Sequence, residues 1–144
     1  MEKDRHIVHC DLDTFFVSVE RKKRTDLIGK PVLVGGFSDR AVVASCSYEA
    51  RKFGVHSAMP MRLARQLCPE AEVVRGDMDE YAKYSRIVTE IIESEAPVVE
   101  KASIDEHYID VSGMDRFFGC WKWVQELRKK ITMETDLPIS FGLS

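Results

Sequence analysis

"VVEKASIDEHYIDVS", Val98–Ser112, sets two strand-length runs on either side of a pair of acids. "VVEKASI" and "HYIDVS" alternate or run apolar over the length of short strands, which predicts an antiparallel pair. Asp105 and Glu106 then fall at the tight connection or at the start of the second strand. Upstream, Met78 to Glu95 carries Tyr81, Tyr84, Val88 and Ile91 at helical spacing, with Ile87 and Ile92 beside them, and predicts an amphipathic helix ended by Pro97. Downstream, residues 116–132 predict another helix with Phe117, Trp121, Val124, Leu127 and Ile131 along one side, and "LPISFGLS" a last strand. Near the N-terminus, "HIVHCD" reads as a short buried strand ending at Asp11. The helix that follows through "TFFVSVERKKR" has Phe15, Phe16 and Val19 on neighbouring faces.

The stretch between these elements is different in character. "GKPVLVGG" and "RAVVASCS" predict strands, "YEARKFG" a turn or two of helix stopped by Gly54, and "MPMRLARQLCP" a helix with Pro60 near its start and Pro69 past its end. These short, polar-rimmed pieces read as a small subdomain, residues 21–77, inserted into a larger unit made of 1–20 and 78–144. Without the insertion the order is strand, helix, helix, strand, strand, helix, strand. The expected class is α+β, with helices on one face of a mostly antiparallel sheet, close to the ferredoxin-like pattern.

Composition bounds the function. At 144 residues and 44% hydrophobic, the chain can bury a core as one compact domain or a domain with a small subdomain. A formal charge of −3 and a pI of about 5.8 give no basic footprint of the kind an autonomous nucleic-acid binder shows. The second half, which contains Asp105 and Glu106, holds most of the negative charge. Cys10, Cys46, Cys68 and Cys120 are far apart and form no CxxC pair, so neither a zinc site nor a disulfide framework is expected. No apolar run approaches the roughly 20 residues of a membrane span, and "MEKDRH" lacks a signal-peptide core. The expectation is a cytoplasmic protein with no membrane association.

The carboxylates carry the chemistry. If the strand ending at Asp11 lies beside the hairpin, Asp11, Asp105 and Glu106 converge at one edge of the sheet. Three acids in one place repel, which raises the pKa of at least one of them unless divalent cations neutralise the cluster. Mg²⁺ suits such a site, because it takes a few carboxylates and keeps its other positions for water and phosphate. Two ions about 3.5–4 Å apart would stabilise both oxygens of a phosphoryl transfer. Spacing alone favours a plainer reading, in which Asp105 and Glu106 cap a hairpin and stay solvated.

"VHCDLDTFFVSVE", "GKPVLVGG", "SYEARKFGVHSAMP" and "KASIDEHYIDVSG" stand in an order and at spacings that resemble the catalytic part of Y-family, DinB-like DNA polymerases of the DNA polymerase IV type, over nearly the whole chain. The resemblance implies a ferredoxin-like palm with an inserted fingers subdomain. It also implies low-fidelity, template-directed translesion synthesis, with nucleotidyl transfer from a dNTP to a primer 3′-hydroxyl. Asp11, Asp105 and Glu106 would be the catalytic metal-binding acids and the carbonyl of Leu12 a further ligand, with two Mg²⁺ ions as cofactor and Mn²⁺ as a substitute. Asp13, two residues past the family's ligand, is expected to be structural. Phe16 matches the aromatic that clashes with a ribonucleotide 2′-hydroxyl, although periodicity alone reads it as an ordinary core phenylalanine. Phe15 and Phe16 begin a helix and offer backbone N–H groups to phosphate. Ser45, Tyr48 and Arg51 match triphosphate contacts; outside the family Arg51 reads as a surface arginine.

His107 departs from the family pattern, and strand alternation turns its side chain away from that of Glu106, toward a packing or surface role. The family continues beyond "ISFGLS" with a lysine-bearing helix, a thumb and a little-finger domain. The chain is therefore expected to be a monomeric palm-and-fingers portion, weak or inactive alone, meeting primer-template DNA and a sliding clamp through the full-length protein. Two alternatives stay open: a non-catalytic nucleotide- or partner-binding fragment, and a nucleotide cyclase of related palm architecture.

Overall fold

The computed structural model describes residues 7–38, 40–96, 98–112 and 120–143. In chain order the elements are β1 (Ile7–Leu12), α1 (Phe15–Lys23), a 3₁₀ turn (Thr25–Leu27), β2 (Val32–Gly35), β3 (Val43–Cys46), α2 (Tyr48–Arg51) and α3 (Met61–Leu67), then β4 (Glu72–Val74), α4 (Met78–Glu95), β5 (Val98–Lys101), β6 (Glu106–Asp110), α5 (Cys120–Thr135) and β7 (Ile139–Leu143). They fall into two compact units, Met1–Asp13 with Tyr81–Ser144, and Thr14–Glu80.

The first unit reads β1, α4, β5, β6, α5, β7, and its four strands pair in the order β5-β6-β1-β7, antiparallel throughout. That is the split β-α-β arrangement of a ferredoxin-like fold, as the sequence predicts. β1 is central, and its inner row is apolar: Val8, Cys10 and Leu12 are buried while Ile7, His9 and Asp11 alternate with them on the other face. Tyr81, Ser85, Val88, Ile91 and Ile92 form the buried stripe of α4. Asp77 starts that helix by accepting from the Glu80 amide at 3.2 Å.

On α5 the inner stripe is Val124, Leu127 and Ile131. Trp121, predicted to share it, is 55% exposed. Helical periodicity fixes a face, and does not say how far the layer beneath extends. Phe117, the first four residues predicted for this helix, and Pro97 lie outside the described residues.

The second unit is a mixed three-stranded sheet in the order β3-β2-β4, with β2 antiparallel to β3 and parallel to β4. β4 and the 3₁₀ turn are not anticipated by the sequence reading. Its core is small and made of Leu33, Val43, Cys46, Ala50, Val55, Met59, Met61, Ala64 and Cys68. The ladder slips between Val34 and Gly35, where a Cβ on Gly35 would stand 2.6 Å from the Val42 carbonyl oxygen. Ala58 is held at φ 72°, its amide bonded to Val43 and the Val43 amide to Met59, both at 2.8 Å. Cys10, Cys46 and Cys68 are buried free thiols. Among the described residues no helix is long and apolar enough to cross a membrane.

Candidate active site

β1 and β6 put Asp11 directly opposite Glu106, and Asp105 closes the turn just before it. The Leu12 amide donates to the Asp105 carbonyl at 3.0 Å, which ties the end of β1 to that turn. One carboxylate oxygen from each of Asp11, Asp105 and Glu106 lies within 4.8 Å of the others, and all three residues are partly buried. The Asp11 carboxyl is held above the usual carboxylate range, first by burial and then by the charges of Asp105 and Glu106, with a weaker opposing pull from His9. Hard oxygen donors at this spacing, with unneutralised repulsion, fit a divalent cation.

Polar side chains flank two of these carboxylates. Ser103 donates its hydroxyl to Asp105 at 3.0 Å. His9 Nε2 stands 3.6 Å from a Glu106 oxygen, and its ring stacks on Tyr108 with centroids 4.8 Å apart. His9 belongs to no motif in the sequence, and strand alternation is the one signal that marks it, since it lies two residues before Asp11 on the same face. Asp13 accepts from the Ser140 hydroxyl, and its amide bonds the Pro138 carbonyl at 3.0 Å. The Leu12 side chain is 2% exposed. His107 faces the opposite side of the sheet from Glu106 and is fully buried; burial, followed by Lys101, pulls its pKa down to about 4.

The other sequence candidates lie in the second unit. Phe15 is 3% exposed and Phe16 partly buried, with ring centroids 5.8 Å apart. They open α1 behind Thr14, which sits in the left-handed region at φ 39° and makes no side-chain cap. Ser45 is half-buried on β3. Tyr48 is 53% exposed, with the Arg51 guanidinium 4.9 Å above its ring. Their one-turn helix is held at its base by Ser47, whose hydroxyl accepts from the Val32 amide at 2.9 Å and the Ala50 amide at 3.2 Å. Arg21 steadies it from α1, bonding Glu49 at 3.0 Å and the Lys30 carbonyl at 2.8 Å.

A sequence model of the impB/mucB/samB family matches residues 10–144. DNA polymerase IV of Treponema denticola is 46% identical over 99% of the chain, and that of Clostridium perfringens 42% identical over all of it. The chain spans 36% and 41% of the length of these two relatives. Among solved structures, DinB from Sulfolobus solfataricus superposes with a TM-score of 0.89 at 30% identity, over 96% of this chain and 42% of that one. An insertion ternary complex of Dbh DNA polymerase gives the same TM-score, identity and coverage.

Proposed function

Because the chain belongs to the impB/mucB/samB family, we propose that it is the catalytic palm-and-fingers portion of a low-fidelity, template-directed translesion DNA polymerase. The observation that carries this reading is the meeting of Asp11, Asp105 and Glu106 within 4.8 Å. Residues 1–20 and 78–144 are the palm and residues 21–77 the fingers. Asp11, Asp105 and Glu106, with the carbonyl of Leu12, hold two Mg²⁺ ions, for which Mn²⁺ substitutes. Bound there, the ions neutralise the acids and stabilise charge on the oxygens of nucleotidyl transfer.

The remaining candidates bind and select the nucleotide. The backbone N–H groups of Phe15 and Phe16, the hydroxyls of Ser45 and Tyr48, and the fork of Arg51 hold the triphosphate. Phe16 packs under the sugar and excludes a 2′-hydroxyl. Primer-template DNA is engaged through the full-length protein, as is a sliding clamp; the chain works as a monomer in the cytoplasm.

Calorimetric titration with a deoxynucleoside triphosphate in Mg²⁺, beside Asp105→Asn and the matching ribonucleotide, tests the reading. Saturable binding that needs Asp105 and prefers the deoxy sugar is expected. Binding indifferent to both would overturn it.

A further inference from the structure

Hydrogen bonds from α4 bracket the acidic pair. Ser85, 1% exposed, donates its hydroxyl to the carbonyl of Ile104, the residue before Asp105. Thr89, one turn along, meets Nε2 of His107, the residue after Glu106, at 2.8 Å. Thr89 also donates to the Ser85 carbonyl at 2.8 Å. A threonine has one hydroxyl proton, so toward His107 it accepts, and Nε2 is the nitrogen that carries hydrogen. The helix thus grips residues 104 and 107 from the buried side, while register places Glu106 opposite Asp11 on the other face.

Packing alone gives no reason for a hydroxyl at position 85, in a stripe otherwise made of Tyr81, Val88, Ile91 and Ile92. A buried hydroxyl costs stability unless it is bonded, and the cheap local solution is the carbonyl four residues back. Thr135 takes that solution, donating to the Ile131 carbonyl at 2.7 Å. Ser85 instead bonds across 19 residues, to the segment that carries the acids.

We propose that Ser85, Thr89 and His107 are positioning residues that set the spacing of Asp105 and Glu106 against Asp11. The consequence for a bound cation rests on the reading of these acids as metal ligands; the consequence for the backbone does not. Amide hydrogen exchange by NMR on Ser85→Ala and Thr89→Val, with Val88→Ala as a control that thins the same buried stripe without removing a hydrogen bond, separates the two. In both variants the Leu12 amide, bonded to Asp105, and the Glu106 amide, bonded to Ser103, are expected to exchange about 10-fold faster. The Asp13 amide, bonded to Pro138, should keep its rate. Mn²⁺ affinity falls about 10-fold, at the lower end of what outer-shell partners contribute.

Leu12 and Glu106 amides that exchange no faster than in Val88→Ala would overturn the proposal. Faster exchange with Mn²⁺ binding that ignores Asp105→Asn would leave it standing and remove the metal reading instead. Thr89→Val, nearly isosteric, carries the test where Ser85→Ala lowers stability.

Discussion

In the first unit the candidate carboxylates stand on paired strands, and their spacing is a consequence of register: Asp11 faces Glu106 because Cys10 faces His107 and His9 faces Tyr108. In the second unit Tyr48 and Arg51 stand on a single helical turn, with side chains in solvent resting on each other. Like charges swing apart unless the backbone holds them, so the acids need two strands and a turn. Tyr48 and Arg51 carry no like-charge repulsion to resist, and one turn anchored by Ser47 and Arg21 is enough to present them.

The sharpest way to break this contrast is to remove one carboxylate. Asp105→Asn is expected to lower Mn²⁺ affinity by more than the ~10–100-fold that an outer-shell partner contributes; Arg51→Met should leave it unchanged. Paramagnetic titration of Mn²⁺ alone reads both.

Acid should loosen the first unit. His107 is neutral in the fold, with a pKa of about 4, whereas the unfolded chain takes up the proton near 6.5. Between those values the unfolded state binds more protons, so stability falls as pH drops from about 6.5 toward 4. The full loss is on the order of 3 kcal/mol. Urea midpoints across that window should show it, and His107→Phe should flatten the slope.

The second unit is tested through its backbone. Gly35→Ala drives a Cβ against the Val42 carbonyl and the Met61 side chain, at a cost of about 1–3 kcal/mol. Chemical denaturation should show this loss, with amide exchange in β1 and β6 unaltered. The smallest effect is at Ala58: glycine there relieves the left-handed strain at φ 72°, partly offset by unfolded-state entropy. A net gain of about 0.5 kcal/mol is expected in the same denaturation assay.

Much of the first unit was legible because its elements are long and periodic: Met78–Glu95 carries the apolar members of its stripe in sequence, though not Ser85, and the hairpin its alternation. The meeting of Asp11 with Asp105 and Glu106 followed from placing two acid-bearing strands side by side. β4 was not legible, since three residues, Glu72–Val74, are too few for a period to show. The link from Ser85 and Thr89 to Ile104 and His107 was hidden for another reason. Nothing local marks a hydroxyl that bonds 18 or 19 residues away.

β1 is synthesised first among the elements, yet it lies between β6 and β7, so both of its partners come from the second half of the chain. Closing such distant pairings is slow, and the loop entropy must be met before any contact offsets it. The second unit is drawn from Thr14–Glu80 alone, so all of its own strand pairings are available before β6 and β7 are made. Until then the segment carrying Val8, Cys10 and Leu12 has no strand to pair with, and an unpaired apolar segment of that kind is where aggregation starts. The central position that gives Asp11 two rigid neighbours also means that its carboxylate cluster cannot form until β6 has been made.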